Sequence, residues 1–440
     1  MVYSALLSVA YSLRPAGSHL KELSRTQWLT GEEIRAIQFK KLRAMLEHCY
    51  SNVPYYHRAM RNVGVSPEDV RSLDDLSRLP PLSKAEIKKD PPKFRSRRVP
   101  WGVMEETTSG STGEPLKFLR SRSTYEWELA ASRRSSGWLG HRLGDRWATL
   151  CMVKGFGSFR KRFVDAARDL LWRRLRVNNF KISREAMREE ARRIVSFRPI
   201  LLVGAPQSLL EFGRFAQEEN ASVPVVVSTF ERTAPFERTL LADRWGGEVY
   251  DRYGSAEARS MSSECSEHRG LHVADELYLL EFVKDGEHVS PGERGRILVT
   301  SLCNWAQPFI RYDTGDLSTP MDEECPCGRG LSLMSTVEGR CLEVIEAEDG
   351  RLIFTSEFLS WFADVRVGQY QIEQLDRLRT IIRIVPEEGY NQQFGEKIAG
   401  RARSTLGAGV EVGIRVMDTI HHYESGKRQV VKSRARFPPL

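Results

Sequence analysis

The chain has 440 residues, 41% hydrophobic and 28% charged. That is too much for one small core, and it fits a globular protein of two or three domains rather than a disordered or fibrous one. The net charge of +8 comes without a zinc-finger, homeodomain or RNA-recognition signature, so no nucleic-acid partner is expected. No apolar run reaches the ~18 residues of a membrane-spanning helix, so no stable membrane insertion is expected either.

The N-terminal MVYSALLSVAYSL lacks a basic leader and a cleavage site, which favours a terminal helix over a secretion signal. TGEEIRAIQFKKLRAMLEHCYSN follows, with Thr30 as cap, acids in the first turn and apolar residues at helical spacing. In SRLPPLSKAEIKKDPP paired prolines flank a short helix, the pattern of a connection. Beyond residue 100, WATLCMV, ILLVGAP and VPVVVSTF are strand candidates separated by amphipathic stretches, the alternation of an α/β layer architecture. The basic stretch 160–199 reads as solvated helical faces. After 270 the helices thin out, and ELYLLEFV, GRILVTSL and FIRYDTGDL suggest an antiparallel extension of the same body. A new unit begins near 339, with two strands in YQIEQLDRLRTIIRIVP, a helix in NQQFGEKIAGRARSTLG and a strand in VEVGIRVMD.

Four stretches carry chemistry. In TTSGSTGEPLKF (107–118), Gly110 and Gly113 allow a tight turn that brings amides to an anion, and five hydroxyls add donors. The spacing excludes the common GxxxxGK[ST] nucleotide loop. YDRYGSAEARS (250–260) offers Tyr253 for stacking, Gly254 for close approach and Glu257 as a hard oxygen ligand. In RYDTGDL (311–317) a carboxylate beside a Thr-Gly turn can take a ribose diol. Near the C-terminal end, YESGKRQVVKSR presents Lys427 in a glycine turn. Read singly, each is equally an ordinary turn.

Their order is more informative. TSGSTG, YGxxE, YxTGDL, GR and a terminal SGK resemble the adenylate-forming acyl-CoA synthetase superfamily. The forms TTSGSTGEPLKF, NVPYYHRAM, YGSAE followed by EC, and CPCGR are similar to the phenylacetate–CoA ligase family. This resemblance implies an α/β protein, with a large N-terminal adenylate-forming domain of mixed sheets and helices over 1–338. Residues 1–95 would form a helical lead-in, and a small mobile C-terminal α+β domain over 339–440 would carry Lys427.

The resemblance further implies ATP phosphates on Thr108, Ser109, Gly110, Ser111, Thr112 and Gly113, and the adenylate on Tyr253 and Gly254. Mg²⁺ would sit on Glu257, the ribose on Asp316 with Arg340, and the α-phosphate and carboxylate on Lys427. The hinge would lie near Arg340–Glu343. The implied activity is ATP-dependent activation of a small carboxylic acid as its AMP ester, then transfer to coenzyme A. An amine, hydroxyl or carrier-protein thiol is the alternative acceptor, and a non-catalytic nucleotide-binding protein a third reading. The chain departs from the family pattern at Ala256, at Lys117 and at Cys341-Leu342-Glu343.

The seven cysteines at 49, 151, 265, 303, 325, 327 and 341 are odd in number and scattered, so a reducing cytoplasm is expected rather than a disulfide scaffold. Cys325 and Cys327 form a knuckle that Cys265 and His272 could complete as a structural Zn²⁺ site, with free thiols as the alternative. In the resembled family the histidine follows Gly-Leu, which favours His272 over His268. Specificity is expected between 137 and 257, with Trp138 and Phe230 as candidate pocket walls.

Overall fold

The structure is a computed structural model that describes residues 11–99, 101–108, 115–151, 159–178, 184–340, 344–353, 357–358, 360–362, 365–387, 389–420 and 430–433. Helices α1 (Pro15–Thr26), α2 (Gly31–Asn52), α3 (Pro54–Asn62) and α4 (Lys84–Lys89) lead the described chain. Thr30 caps α2 as its sequence suggests. Its Oγ1 accepts from the Glu33 amide at 3.3 Å while Glu33 accepts from the Thr30 amide at 2.8 Å. Leu42, Met45, Leu46 and Cys49 of α2 are buried in one hydrophobic cluster with Phe118, Tyr278, Val299 and Tyr312. The lead-in helices therefore contribute to the core that backs the site.

A hairpin of β1 (Val103–Thr107) and β2 (Lys117–Ser121) pairs Thr107 with Lys117 across the glycine-rich loop. Helix α5 (Arg122–Trp138) then leads into the main sheet. Strands β3 (Trp147–Cys151), β4 (Arg174–Asn178), β5 (Leu201–Gly204), β6 (Val225–Thr229) and β7 (Glu248–Tyr253) are parallel, in the order β7-β6-β5-β3-β4. Between them run α6 (Phe159–Leu171), α7 (Arg184–Phe197), α8 (Pro206–Glu218) and α9 (Pro235–Trp245). Short strands β8 (Ser262–Glu264) and β9 (Leu271–Val273) extend this sheet in antiparallel fashion.

The basic stretch read as helical faces thus also holds a strand. In RLRVN the arginines of β4 alternate with Leu175 and Val177, and Arg174 and Arg176 both pair with Asp169. The strand occupies the sheet edge, where charged side chains are tolerated.

Strands β10 (Tyr278–Lys284), β11 (Glu287–His288), β12 (Gly295–Ser301) and β13 (Tyr312–Ser318) continue the same body in antiparallel fashion, with Ile297 buried against Leu271 and Val273 of β9. They form a separate antiparallel sheet, closed by β16 (Gly339–Arg340), while β14 (Pro320–Met321) and β15 (Leu333–Met334) join the large sheet beyond β9. After a small pair, β17 (Ile345–Glu346) with β18 (Leu352–Ile353), the last part of the chain builds its own sheet. It consists of β19 (Val367–Asp376), β20 (Arg379–Pro386), β21 (Glu411–Val416) and β22 (Val431–Lys432), with α10 (Gln392–Leu406) between β20 and β21. Trp361, Phe362, Ile372, Ile382 and Ile398 are buried together there, with Ala234 from the start of α9. No helix of the described residues is long and apolar enough to cross a membrane.

Candidate active site

Three hydrogen bonds draw the separate motifs together. Tyr253, the last residue of β7, donates its hydroxyl to Asp316 Oδ2 at 2.9 Å. Tyr312, on β13, donates to Glu257 Oε1 at 2.8 Å. Lys84, the first residue of α4, donates to Thr108 Oγ1 at 3.1 Å. Burial and the neighbouring Asp316 carboxylate push the Tyr253 phenol well above its ordinary pKa, and burial with Glu257 does the same to Tyr312. Both hydroxyls therefore remain protonated donors to the carboxylates.

Backbone pairing explains the convergence. The Leu82 amide donates to Arg311 O at 2.8 Å and the Asp313 amide to Leu82 O at 2.9 Å. This bridge lays the Pro-Pro-Leu-Ser-Lys connection beside β13 and brings Lys84 to the glycine-rich loop. From β2, Arg120 donates to the Ala256 carbonyl, and from the YGSAE loop Arg259 donates to Glu106 on β1 at 2.9 Å. The hairpin carrying the glycine-rich loop is thus bound to the segment carrying Glu257. A Cβ on Gly254 would stand 2.7 Å from the Ser260 amide nitrogen, so the turn closes only with glycine there.

The two aspartates of the YDTGDL turn have different surroundings. Asp313 accepts from Arg296 at 3.0 Å and from the Gly315 amide at 2.9 Å, which holds the turn in shape. Asp316 faces Tyr253 instead and pairs in backbone register with Arg340. Glu257 is 8% exposed. Lys117 pairs with Glu105 at 3.8 Å on the exposed side of the hairpin. Ser109, Gly110, Ser111, Thr112 and Gly113, residues 341–343 and Lys427 lie outside the described residues, as does the Arg340 side chain.

Lys84, Tyr312 and Arg120 are absent from the sequence-level set. Lys84 sits in a segment read only as a connection, and Tyr312 inside a motif noted for its aspartates. Neither signal is visible before the chain is folded, although the proline pairs around Lys84 do mark a rigid approach. Phe230 directly follows β6, whose last residue Thr229 pairs with Arg252 of β7. Its φ is +76°, rare for a bulky residue, and the residue is 61% exposed. Trp138 does not join it. It donates to Gln27 Oε1 at 2.8 Å and packs edge-on against His272 at 5.5 Å.

The Cys/His set is assembled. The ligand atoms of Cys265, His272, Cys325 and Cys327 all lie within 4.8 Å of one another. Cys265 Sγ is 3.7 Å from Cys325 Sγ, and Cys327 Sγ is 3.3 Å from His272 Nε2. Tetrahedral Zn²⁺ with these ligands calls for separations of about 3.5–3.8 Å, so the set fits. Burial and the Arg329 charge push His272 down to about 4, favouring the neutral imidazole a metal requires. His268 is elsewhere, against Glu264 at 2.9 Å and stacked on Tyr250.

No family model matches the chain. Phenylacetate-coenzyme A ligase of Thermus thermophilus is 29% identical over 326 residues, covering 71% of each chain. The phenylacetate-coenzyme A ligase of Aromatoleum evansii is 27% identical over 389 residues, covering 84% of this chain and 86% of that one. Among solved structures, 2-hydroxyisobutyryl-CoA ligase in its postadenylation state with 2-HIB-AMP superposes with a TM-score of 0.78 at 20% identity, covering 93% and 92% of the two chains. The same ligase in its thioesterification state gives 0.62 at 20% identity, covering 92% and 91%. In sequence the chain is similar to phenylacetate–coenzyme A ligases, and it shares the fold of 2-hydroxyisobutyryl-CoA ligase.

Proposed function

We propose that this protein is an AMP-forming acid–thiol ligase. It activates a small carboxylic acid with ATP as the acyl-adenylate and transfers the acyl group to coenzyme A. The observation that carries the reading is the pairing of Thr108 with Lys84, Glu257 with Tyr312, and Tyr253 with Asp316 around the end of β7 and along β13.

The chemistry is a meeting of anions. A carboxylate oxygen attacks the α-phosphorus of ATP, the bond to the bridging oxygen breaks, and diphosphate leaves. The barrier falls when positive charge and hydrogen-bond donors already surround the phosphoryl oxygens. In our reading Thr108 through Gly113 cradle the β- and γ-phosphates, and Lys84 supplies a cation at the base of that loop. Asp316 receives the ribose hydroxyls with Arg340, Tyr253 and Gly254 lie against the adenylate, and Lys427 neutralises the α-phosphate. Glu257 would hold Mg²⁺, which supplies charge neutralisation when bound. Its Tyr312 bond uses one oxygen and leaves the other as a ligand atom.

We place the functional division near 339, with the C-terminal sheet as the unit that carries Lys427. The Cys265, His272, Cys325 and Cys327 set would hold a structural Zn²⁺, since four protein ligands leave no open position for chemistry. A panel of carboxylic acids scored for ATP–pyrophosphate exchange, then for thioester formation with coenzyme A, tests the assignment. Exchange with some acid followed by thioester is expected. Absence of exchange with every acid, in protein that binds Mg-ATP, would overturn the reading, and exchange without thioester would overturn the acceptor.

A further inference from the structure

NVPYYHRAM marks the family resemblance, yet adenylation leaves it without a role. It lines a cavity of about 520 Å³. Helix α2 ends at Asn52, Val53 is extended at φ −115° and ψ 110°, and Pro54 opens α3. Val53 and Pro54 at this junction, with His57, Arg58, Arg61 and Asn62 along α3, line the cavity. The rim is fixed by backbone bonds, from the Arg97 amide to Asn52 O at 2.8 Å and from the His57 amide to Val53 O at 3.0 Å.

The charge of the lining is one-sided. Arg58, Arg61 and Arg97 contribute to it, and no aspartate or glutamate does. Among the described residues none of these three guanidinium groups has an ion pair, whereas exposed arginines elsewhere do, as Arg192 does with Glu219 at 2.7 Å. Three uncompensated guanidinium groups around one concavity suit a ligand with more than one phosphate charge. Tyr50 and His57, with ring centroids 4.7 Å apart and planes tilted by 44°, add two aromatic rings to the lining. The volume falls within the ~300–1,000 Å³ typical of small-molecule sites.

We propose that this cavity binds the phosphate groups of a nucleotide-sized organic phosphate. Two sources share that chemistry: the nucleotide end of coenzyme A, which rests on the thioester-forming reading, and free ATP at a second site. The position is connected to the reaction centre. Tyr55 of α3 donates to Glu86 at 3.4 Å, Glu86 closes the capping box with Ser83, and the next residue, Lys84, holds Thr108.

The test is calorimetric titration of the full chain with adenosine 3′,5′-bisphosphate and, separately, with Mg-ATP. Wild type is compared with R58E/R97E and R58K/R97K, with folding checked by thermal unfolding. The bisphosphate is expected to bind wild type and the lysine variant, and to weaken about tenfold or more in R58E/R97E. ATP–pyrophosphate exchange should be unchanged in both variants. Loss instead of a second equivalent of ATP in R58E/R97E would identify free nucleotide as the source. Equal affinity and stoichiometry of both probes in wild type and R58E/R97E would overturn the proposal. Failure of wild type to form thioester would remove the acceptor assignment and leave this binding difference standing.

Discussion

Tyr312 holds Glu257 by a 2.8 Å hydrogen bond between two buried side chains, so the strand of the YDTGDL motif orients the carboxylate of the YGSAE motif. The two residues should fail unequally. Glu257→Gln keeps the shape and removes the charge proposed to hold Mg²⁺, and we expect ATP–pyrophosphate exchange to fall by about 10²–10³-fold. Tyr312→Phe leaves the charge and loosens its aim, for a loss of about tenfold. Equal losses in the two variants would mean that Tyr312 does more than orient.

Lys84 and Thr108 should act as a unit. Lys84→Ala is expected to raise KM for ATP about tenfold with a smaller change in kcat, because the lysine holds Thr108 of the loop proposed to take the phosphates. Thr108→Ala should do the same, and the double variant should lose little more than either alone. Fully additive losses would show that the 3.1 Å bond has no functional weight.

This pair also shows where sequence reading stops. The strands, the helices of the lead-in and the order of the last unit follow from periodicity, turn residues and caps, which are local. The strand Arg174–Asn178 escaped that logic because its arginines resemble a solvated helix until Asp169 is brought against them. Motif resemblance singled out Glu257, Asp316 and Thr108 as candidates. It did not single out their partners Lys84 and Tyr312, whose placement depends on the bridge between Leu82 and Tyr312, a contact across more than two hundred residues. The Cys/His set was legible because knuckle spacing is itself a chemical constraint.

Removal of metal offers a separate test. The Cys/His set ties the chain around β8 and β9 to the knuckle at 325–327, and next to it the Gly330 amide donates to Gln27 O at 3.0 Å. Purified protein is expected to carry about one equivalent of zinc. Cys327→Ser or a strong chelator should lower Tm by about 5 °C or more while exchange activity falls only in proportion to unfolding. Zinc below about a tenth of an equivalent, with titratable free thiols, would remove the site.

Asp275 sets a pH dependence. It is fully buried, and that burial pushes its pKa up to about 7 despite the Ser332 amide at 2.7 Å. Its neighbours are Gln38, which donates at 3.2 Å, and Glu276, itself paired with Arg134 at 2.6 Å. The folded state therefore keeps a proton that the unfolded chain releases near pH 4. Stability from this group is complete below pH 4 and declines as pH rises to about 7. Asp275→Asn should flatten that slope, so the Tm difference between wild type and variant should move in the variant's favour from pH 5 to pH 8. A pH-independent difference would contradict the assignment.

Glu387 bears on the order of the half-reactions. It follows β20 and accepts from Arg244 of α9 at 2.7 and 2.8 Å and from Arg214 of α8 at 2.9 Å. Beside it, Gln369 of β19 donates to Glu211 at 2.8 Å. These contacts fasten the C-terminal sheet to helices that flank the parallel sheet. Burial opposes its charge, but the two guanidinium groups hold the carboxyl below its ordinary pKa, so the latch is closed at neutral pH. In the proposed reaction, a latch that fixes the C-terminal sheet against α8 and α9 is expected to bear on the first half-reaction more than on the second. Glu387→Ala is expected to slow ATP–pyrophosphate exchange by about 3–30-fold, with acyl transfer from a supplied acyl-adenylate unchanged or faster. Arg214→Ala, which removes only the more exposed partner, should act in the same direction with a smaller effect. Equal slowing of both half-reactions would place Glu387 in general stability rather than in the choice between arrangements.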